Sequence, residues 1–198
     1  LIRLGDHLRN VLDPRCAMPK LFRVLFLLIP LALAACAAPP VATDAVSTRS
    51  EIAQLTHAIR ALGPDVDPAE AARSAEIAIT YPMQLRRQYG VTDPPLVHNT
   101  KVNMGLRPRG LCWHWAEDME RRLASENFRT LTLHRAIGNA DRALRIDHST
   151  VVVSANGDVM EQGLVLDPWR NGGDLFWAPV VEDTRYGWER RGVVHARR

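Results

Sequence analysis

Apolar positions in the first half of the chain repeat at helical spacing. Four of them recur every three or four residues: Ile52, Leu55, Ile59 and Leu62. This stripe predicts a helix over 51–62, with Ser50 as its N-cap. Asp67, followed by a proline, predicts the start of a second helix. We expect Pro82 to break or kink that helix before a further turn or two that ends at Tyr89.

The second half of the chain changes from a helical to a strand-like pattern. One more apolar stripe predicts a helix over about 111–125 and consists of Leu111, Trp115, Met119 and Leu123. Segments rich in β-branched and aromatic residues then predict strands over 128–133, 148–154, 159–166 and 174–181. Asn156-Gly157 is a strong signal for a two-residue hairpin turn. Helices followed by antiparallel strands predict an α+β fold.

The N-terminal region has its own polarity pattern. A short basic stretch after Met18 precedes an uncharged run over 24–35, which ends in small residues before Cys36. This order is typical of a secretory signal peptide, and the run is shorter than the roughly 20 residues that span a bilayer. The small residues before the cysteine resemble the lipobox of bacterial lipoproteins. The resemblance implies that Cys36 is acylated; the alternative is an ordinary cleavage site with a chance cysteine.

These features divide the chain into segments. We expect a start-site extension over 1–17, a signal peptide over 18–35, a flexible tether over 36–50 and a single domain over 51–198. The lipoprotein resemblance also implies a location. Because Ala37 rather than aspartate follows the lipidated cysteine, it implies an anchor in the outer membrane, with the domain facing the periplasm.

The charge of the chain argues against a polyanionic partner. Of the 25 basic and 22 acidic residues in the sequence, five basic and two acidic residues precede Cys36, which leaves 20 of each. The expected mature chain is therefore formally neutral and gives no electrostatic case for nucleic acid binding. The partner that the sequence does indicate is the lipid bilayer, through acylated Cys36.

Cys112 has no predicted disulfide partner. The sequence contains three cysteines, of which Cys16 lies in the predicted extension and Cys36 in the lipobox. A solitary cysteine in an oxidising compartment is either buried and inert or retained for chemistry. Cys112 lies in the first turn of a predicted helix, where free amides and the positive end of the dipole favour the thiolate and can hold an oxyanion.

The predicted hairpin brings a base and an acid together. If Asn156-Gly157 forms a two-residue turn, His148 faces Val165 on the partner strand, and Asp167 lies two residues further along. An even step keeps a side chain on the same face of a sheet. His148 and Asp167 are therefore predicted to be diagonal neighbours, with Cβ atoms roughly 7 Å apart.

A resemblance to a known superfamily rests on these residues. Gly110-Leu111-Cys112-Trp113-His114-Trp115-Ala116 resembles the Gly-x-Cys-x-x-x-Ala segment of the transglutaminase-like, papain-like cysteine proteases. His148 follows 36 residues after the cysteine, and Asp167 follows 19 residues later, with a proline after it as in the family. The resemblance implies a cysteine at a helix N-terminus that packs on an antiparallel sheet. It also implies that Cys112 is the nucleophile, His148 the general base and acid, and Asp167 the orienter of the histidine.

Other parts of the expected site are less directly indicated. Ser149 follows His148, where the family often has an aromatic residue. Asn99 and Asn103, upstream of the cysteine, are candidate oxyanion donors. Trp113 and Trp169, each adjacent to a triad residue, are candidate walls of a substrate groove. We expect Arg170 to bind a substrate carboxylate.

The expected activity is attack of Cys112 on an amide or peptide carbonyl through a thioester intermediate, which water or an amine resolves. Envelope peptides or peptidoglycan stems are expected substrates because of the predicted location. The sequence indicates no cofactor and no metal, although His114 and His134 allow a zinc alternative with the cysteine. The remaining alternatives are a core cysteine, and a non-catalytic lipoprotein that keeps the fold as a binding or assembly module.

Overall fold

The computed structural model describes residues 41–142 and 144–198. The described chain has an α+β fold, with five α-helices and one five-stranded antiparallel sheet. The helices are α1 (Val41–Arg60), α2 (Pro68–Tyr89), α3 (Pro95–Asn103), α4 (Cys112–Ala124) and α5 (Arg191–Arg197). The strands are β1 (Leu131–Gly138), β2 (His148–Ala155), β3 (Leu164–Asn171), β4 (Asp174–Pro179) and β5 (Trp188–Arg190). The predicted extension, signal peptide and Cys36 anchor lie outside the described residues.

The first helix is longer than the sequence pattern predicted. It begins at Val41 rather than after Ser50, so the part of the expected tether over 41–50 is helical. Its apolar face nevertheless lies where the pattern placed it, because Leu55 and Ile59 are fully buried in the core. Residues Ala45–Arg198 form one compact unit.

The second helix begins as predicted and continues further. The Asp67 carboxylate accepts hydrogen bonds from the backbone amides of Ala69 and Glu70, which confirms it as the N-cap. The predicted break at Pro82 does not occur, and one helix runs through it to Tyr89. Pro82 is itself buried, so its ring contributes to packing that offsets part of the lost hydrogen bond.

The sheet has the strand order β4-β3-β2-β1-β5, and every neighbouring pair is antiparallel. The helices and the strands share one large core, in which α1, α2 and α4 cover one face of the sheet. Val152 and Val165 point to the opposite face, where they join a smaller cluster that includes Met160 and Trp188. Among the described residues, no helix is long and apolar enough to cross a membrane.

The predicted register between β2 and β3 was wrong. Val152 pairs with Val165, so His148 would lie opposite Trp169 rather than opposite Val165. Asn156-Gly157 does turn the chain, since the Asp158 amide donates to the Ala155 carbonyl. The chain then forms a short 3-10 helix over Met160–Gln162 before β3 begins. Because the register error is an even number of residues, every side chain stays on its predicted face.

Candidate active site

Strands β2 and β3 place His148 and Asp167 in contact. The His148 Nε2 atom lies 2.6 Å from the Asp167 Oδ2 atom. Both side chains are almost fully buried, with 4% and 0% of their surfaces exposed. Three aromatic rings surround the imidazole, with centroids 4.8, 4.6 and 5.5 Å from its own: Trp169, Tyr186 and Trp188. The base and its predicted orienter are therefore brought together in a largely dry setting.

The surroundings of His148 favour its protonated form. Burial alone would lower the pKa of the imidazole, because a charged ring loses hydration. Hydrogen bonds and charge interactions with Asp167 and Cys112 outweigh this effect and raise the pKa to about 9. With Nε2 bonded to the carboxylate, Nδ1 is the remaining ring nitrogen. It is buried and has no fully formed hydrogen bond, so it is the ring nitrogen left to exchange a proton.

Cys112 is the first residue of α4 and borders the site without being enclosed by it. Its side chain is partly exposed, and the Sγ atom lies 3.7 Å from the carbonyl oxygen of Asp147, to which the thiol donates. Asp147 is the residue immediately before β2, so this contact joins the helix start to the strand that carries His148. Cys112 is therefore not among the buried residues of the described core.

The chain before Cys112 is held by a tight contact with α3. Gly110 has a φ of 129°, and an added Cβ atom there would lie 2.3 Å from His98 Nε2. His98 is 1% exposed, and its Nε2 atom lies 2.9 Å from the Arg109 carbonyl oxygen. Only glycine leaves space for this ring, so the predicted role of Gly110 as a sharp turn acquires a specific partner.

The start of α4 uses side chains to satisfy its backbone. The Nδ1 atom of His114 accepts from the amides of Gly110 and Leu111, both at 3.1 Å. The indole of Trp115 donates to the Gly110 carbonyl. Since these two amides are already bonded, the next one along, the Cys112 amide, is the backbone candidate for an oxyanion donor.

The Asp167 carboxylate also contacts a second charged pair, formed by Arg170 and Asp183. The Arg170 Nε atom lies 3.1 Å from Asp167 Oδ2, and its two terminal nitrogens bond both carboxylate oxygens of Asp183 at 3.1 and 2.7 Å. The Trp188 indole also donates to Asp183. The Arg170 guanidinium lies 3.7 Å from the centroid of the Phe176 ring. Burial works to raise the pKa of Asp183, but the bonds from Arg170 and Trp188 outweigh it and hold that pKa below its usual value.

This arrangement changes the expected role of Arg170. Its side chain is 9% exposed and already bonded to two carboxylates, so binding a substrate carboxylate would break an internal ion pair. No pattern in the sequence indicated Asp183, which lies in an irregular segment 13 residues after Arg170. A pairing at such a distance has no local sequence signature.

A cleft of about 310 Å³ opens beside the triad. Cys112 and His148 both line it, together with Trp169 and Asn99. The Asn99 Oδ1 atom accepts a hydrogen bond of 3.1 Å from the Trp169 indole, which leaves its NH₂ group as a donor. Asn99, on the unpredicted helix α3, thus lines the same cleft as Cys112.

Two of the expected site residues lie elsewhere. Asn103, the last residue of α3, is exposed and does not line the cleft. Trp113 is 47% exposed and its ring lies against that of His114, outside the cleft lining. Among the triad's aromatic neighbours, Tyr186 was not singled out in the sequence, although it lines the cleft and lies next to the imidazole.

The two histidines of the zinc alternative are engaged separately. His114 caps its own helix, whereas the Nε2 atom of His134 lies 2.8 Å from the Ser154 hydroxyl. In the part of the chain that the structure describes, no group of three or more His, Cys, Asp or Glu side chains could hold a metal ion. The structure therefore does not bring Cys112, His114 and His134 together as a metal site.

No family model, curated protein or solved structure matches this chain.

Proposed function

We propose that this chain is a transglutaminase-like cysteine hydrolase or acyltransferase that acts on amide or peptide bonds through Cys112, His148 and Asp167. The observation that carries the proposal is the bond between His148 Nε2 and the buried Asp167 carboxylate, beside a cleft that Cys112 also lines. A cysteine at a helix start against an antiparallel sheet also agrees with a papain-like core.

The chemistry follows from the two ring nitrogens. The Nε2–H group donates to Asp167, so the lone pair of Nδ1 accepts the thiol proton of Cys112. The thiolate then attacks the carbonyl carbon of the substrate, and the oxyanion is held by the Cys112 amide and the Asn99 NH₂ group. The C–N bond breaks as the imidazolium returns its proton to the leaving amine, which leaves a thioester on Sγ.

The thioester is resolved by a second nucleophile. Water gives an acid and restores the thiol, whereas an amine gives a new amide. His148 first takes the proton of the incoming nucleophile and then returns it to sulfur. The raised pKa of His148 suits this cycle, because a more basic imidazole accepts the thiol proton readily and then holds it for the leaving amine. We favour hydrolysis, since the sequence supplies no recognisable amine site.

The envelope location is part of the proposal and rests on the sequence. An acyl group on Cys36 would tether the domain to the outer membrane on its periplasmic side. Peptides of the envelope or peptidoglycan stems are the substrates available there.

The test is the reactivity of Cys112 toward iodoacetamide at pH 6. The full chain in detergent carries Cys16→Ser and Cys36→Ser, so that Cys112 is the only thiol. We expect it to label at least about tenfold faster than free cysteine, because an activated cysteine is a thiolate well below the pH at which a free thiol ionises. His148→Ala should remove this advantage, and mass spectrometry of the intact protein measures it.

The controls separate the triad from general effects of substitution. His57→Ala and Asp65→Asn alter exposed residues and should leave the labelling rate unchanged, whereas Asp167→Asn should lower it. Slow labelling of folded protein, indifferent to His148, would refute the enzyme and leave the non-catalytic binding module.

A further inference from the structure

The charges that line the cleft are balanced except at one residue. The Arg170 guanidinium is bonded to Asp183, and the Asp147 carboxylate lies 2.6 Å from Arg198. Arg185 also lines the cleft and is exposed, and it forms no salt bridge with an acidic residue of the described chain. The cleft therefore presents one uncompensated positive charge.

Arg185 lies close enough to the triad to contact a bound substrate. The carbon at the centre of its guanidinium is 5.9 Å from the centroid of the Tyr186 ring. That ring is in turn 4.6 Å from the centroid of the His148 imidazole. Since an extended residue spans about 3.3 to 3.6 Å, the two distances together correspond to at most about three residues of a peptide.

Two exposed apolar side chains also line the cleft. Leu96, at the start of α3, is 61% exposed, and Ile146, just before β2, is 75% exposed. Large apolar side chains exposed at the rim of a concave site are typical of ligand-binding grooves. A substrate that fits this cleft carries an apolar side chain to contact Leu96 or Ile146 and a negative charge for Arg185.

We propose that Arg185 binds a carboxylate of the substrate, and that the substrates are short peptides with an apolar residue beside the scissile amide and a carboxylate within about three residues of it. This inference rests on the proposed function for the position of the scissile bond. The carboxylate belongs either to the peptide C-terminus or to an acidic side chain, which present the same group to the guanidinium.

Binding is measured without turnover, in the full chain with Cys112→Ser in place of the nucleophile. The probes are acetyl-Leu-Gly, its C-terminal amide, and acetyl-Leu-Asp with an amidated C-terminus; isothermal titration calorimetry gives each Kd. We expect one or both acids to bind about fivefold more tightly than the neutral amide, as for a partly exposed ion pair. The preference should shrink between low and high salt. The acid that shows it identifies the source of the carboxylate.

The variants assign the preference to one guanidinium. Arg185→Gln should reduce it to about onefold, and Arg185→Lys should retain part of it. Arg129→Gln, at another exposed arginine without a salt bridge to a described residue, is the matched control and should change nothing. Equal binding of all three probes, no binding of any, or a preference that survives Arg185→Gln would overturn the proposal.

Failure of the proposed role of Arg185 can be distinguished from failure of the proposed function. Rapid, His148-dependent labelling of Cys112 without a preference for an acid would retain the enzyme and refute the role of Arg185. An Arg185-dependent preference in a protein whose Cys112 is unreactive would support the carboxylate site and refute catalysis.

Discussion

The two ends of the proposed triad are held in different ways. At the acid end, the Asp167 carboxylate is fully buried and contacts His148, the Arg170 side chain and the Arg170 amide. At the cysteine end, the thiol is partly exposed, and its hydrogen bond is to one backbone carbonyl, that of Asp147. One end is fixed within the sheet, whereas the other faces the cleft.

This difference matches what each group would have to do in the proposed enzyme. A base works only if its ring is oriented and its tautomer is set, and a buried carboxylate does both. A nucleophile has to meet a substrate, so its surroundings must stay open to the cleft. Strands β2 and β3 and the Arg170–Asp183 pair therefore fix the positions of His148 and Asp167. The start of α4 leaves Cys112 open to the cleft.

Among the variants that test this difference between the two ends of the triad, Arg170→Met should have the largest effect on stability. The substitution keeps an apolar stem but removes the cation between two buried carboxylates. We expect the free energy of unfolding to fall by about 3 to 5 kcal/mol, as when one partner of a buried ion pair is deleted. Urea denaturation at pH 7 measures the loss.

The pH dependence of that loss identifies its cause. Asp183 has a lowered pKa in the folded protein, so its contribution is present above its unfolded pKa and is lost as the pH falls through the folded value. Without Arg170 the buried carboxylate should instead favour protonation, and the difference from the parent protein should shrink toward pH 4. Arg73→Met, at an exposed arginine with two carboxylate partners, is the control and should cost much less. A loss independent of pH would assign the effect to packing instead.

A smaller effect is expected from the protonation of His148. Its pKa is about 9 in the folded protein and about 6.5 in an unfolded chain. The difference corresponds to about 3 kcal/mol of stability. Because the folded pKa is the higher one, this contribution is fully present below about pH 6.5 and is lost as the pH rises through 9.

Comparison of the parent with His148→Gln isolates this contribution. The difference in free energy of unfolding between the two proteins should be largest near pH 6 and should decline toward pH 10. Cys112→Ala should lower the His148 pKa, read from the imidazole resonances in an NMR titration, since interactions with Cys112 are one cause of its rise. An unchanged titration in that variant would show that Cys112 and His148 are not coupled.

The sequence predicted the faces of the sheet more reliably than its register. Alternation along β2 and β3 assigned His148 and Asp167 to one face, and that assignment survived an even shift in pairing. The register itself depended on the chain after Asn156-Gly157, where Met160 is fully buried in the smaller core cluster. That tertiary contact extends the turn with a 3-10 helix, and no local pattern indicates it.

The candidate site could be predicted where it depended on local structure. Cys112 at a helix start and the His148–Asp167 pair follow from capping, spacing and alternation. The Arg170–Asp183 pair and the contact between Asn99 and Trp169 could not be predicted, because each joins segments that only the folded chain brings together. Helix α3 was missed because its short sequence has no apolar stripe with a helical period.

The smallest effect on stability is expected at Gly110, which lies just before Cys112 and the start of α4. Gly110→Ala places a methyl group against His98 and a side chain at a φ of 129°. Gly105→Ala is the matched control, because it also has a positive φ, 75°, but an added Cβ atom there meets nothing within 4 Å. We expect the first variant to be less stable than the second by at least about 1 to 2 kcal/mol, since it adds displacement of a buried, hydrogen-bonded ring to a φ that lies further from the left-handed region that other residues can adopt.

The same pair of variants tests whether the contact serves the nucleophile. His98 and Gly110 position the turn that leads into α4, so Gly110→Ala should also slow iodoacetamide labelling of Cys112, in protein shown to be folded. Gly105→Ala should leave that rate unchanged. If Gly110→Ala lost stability but kept the full labelling rate, the contact with α3 would stabilise the fold alone, and the thiol would be positioned by α4 and the Asp147 carbonyl.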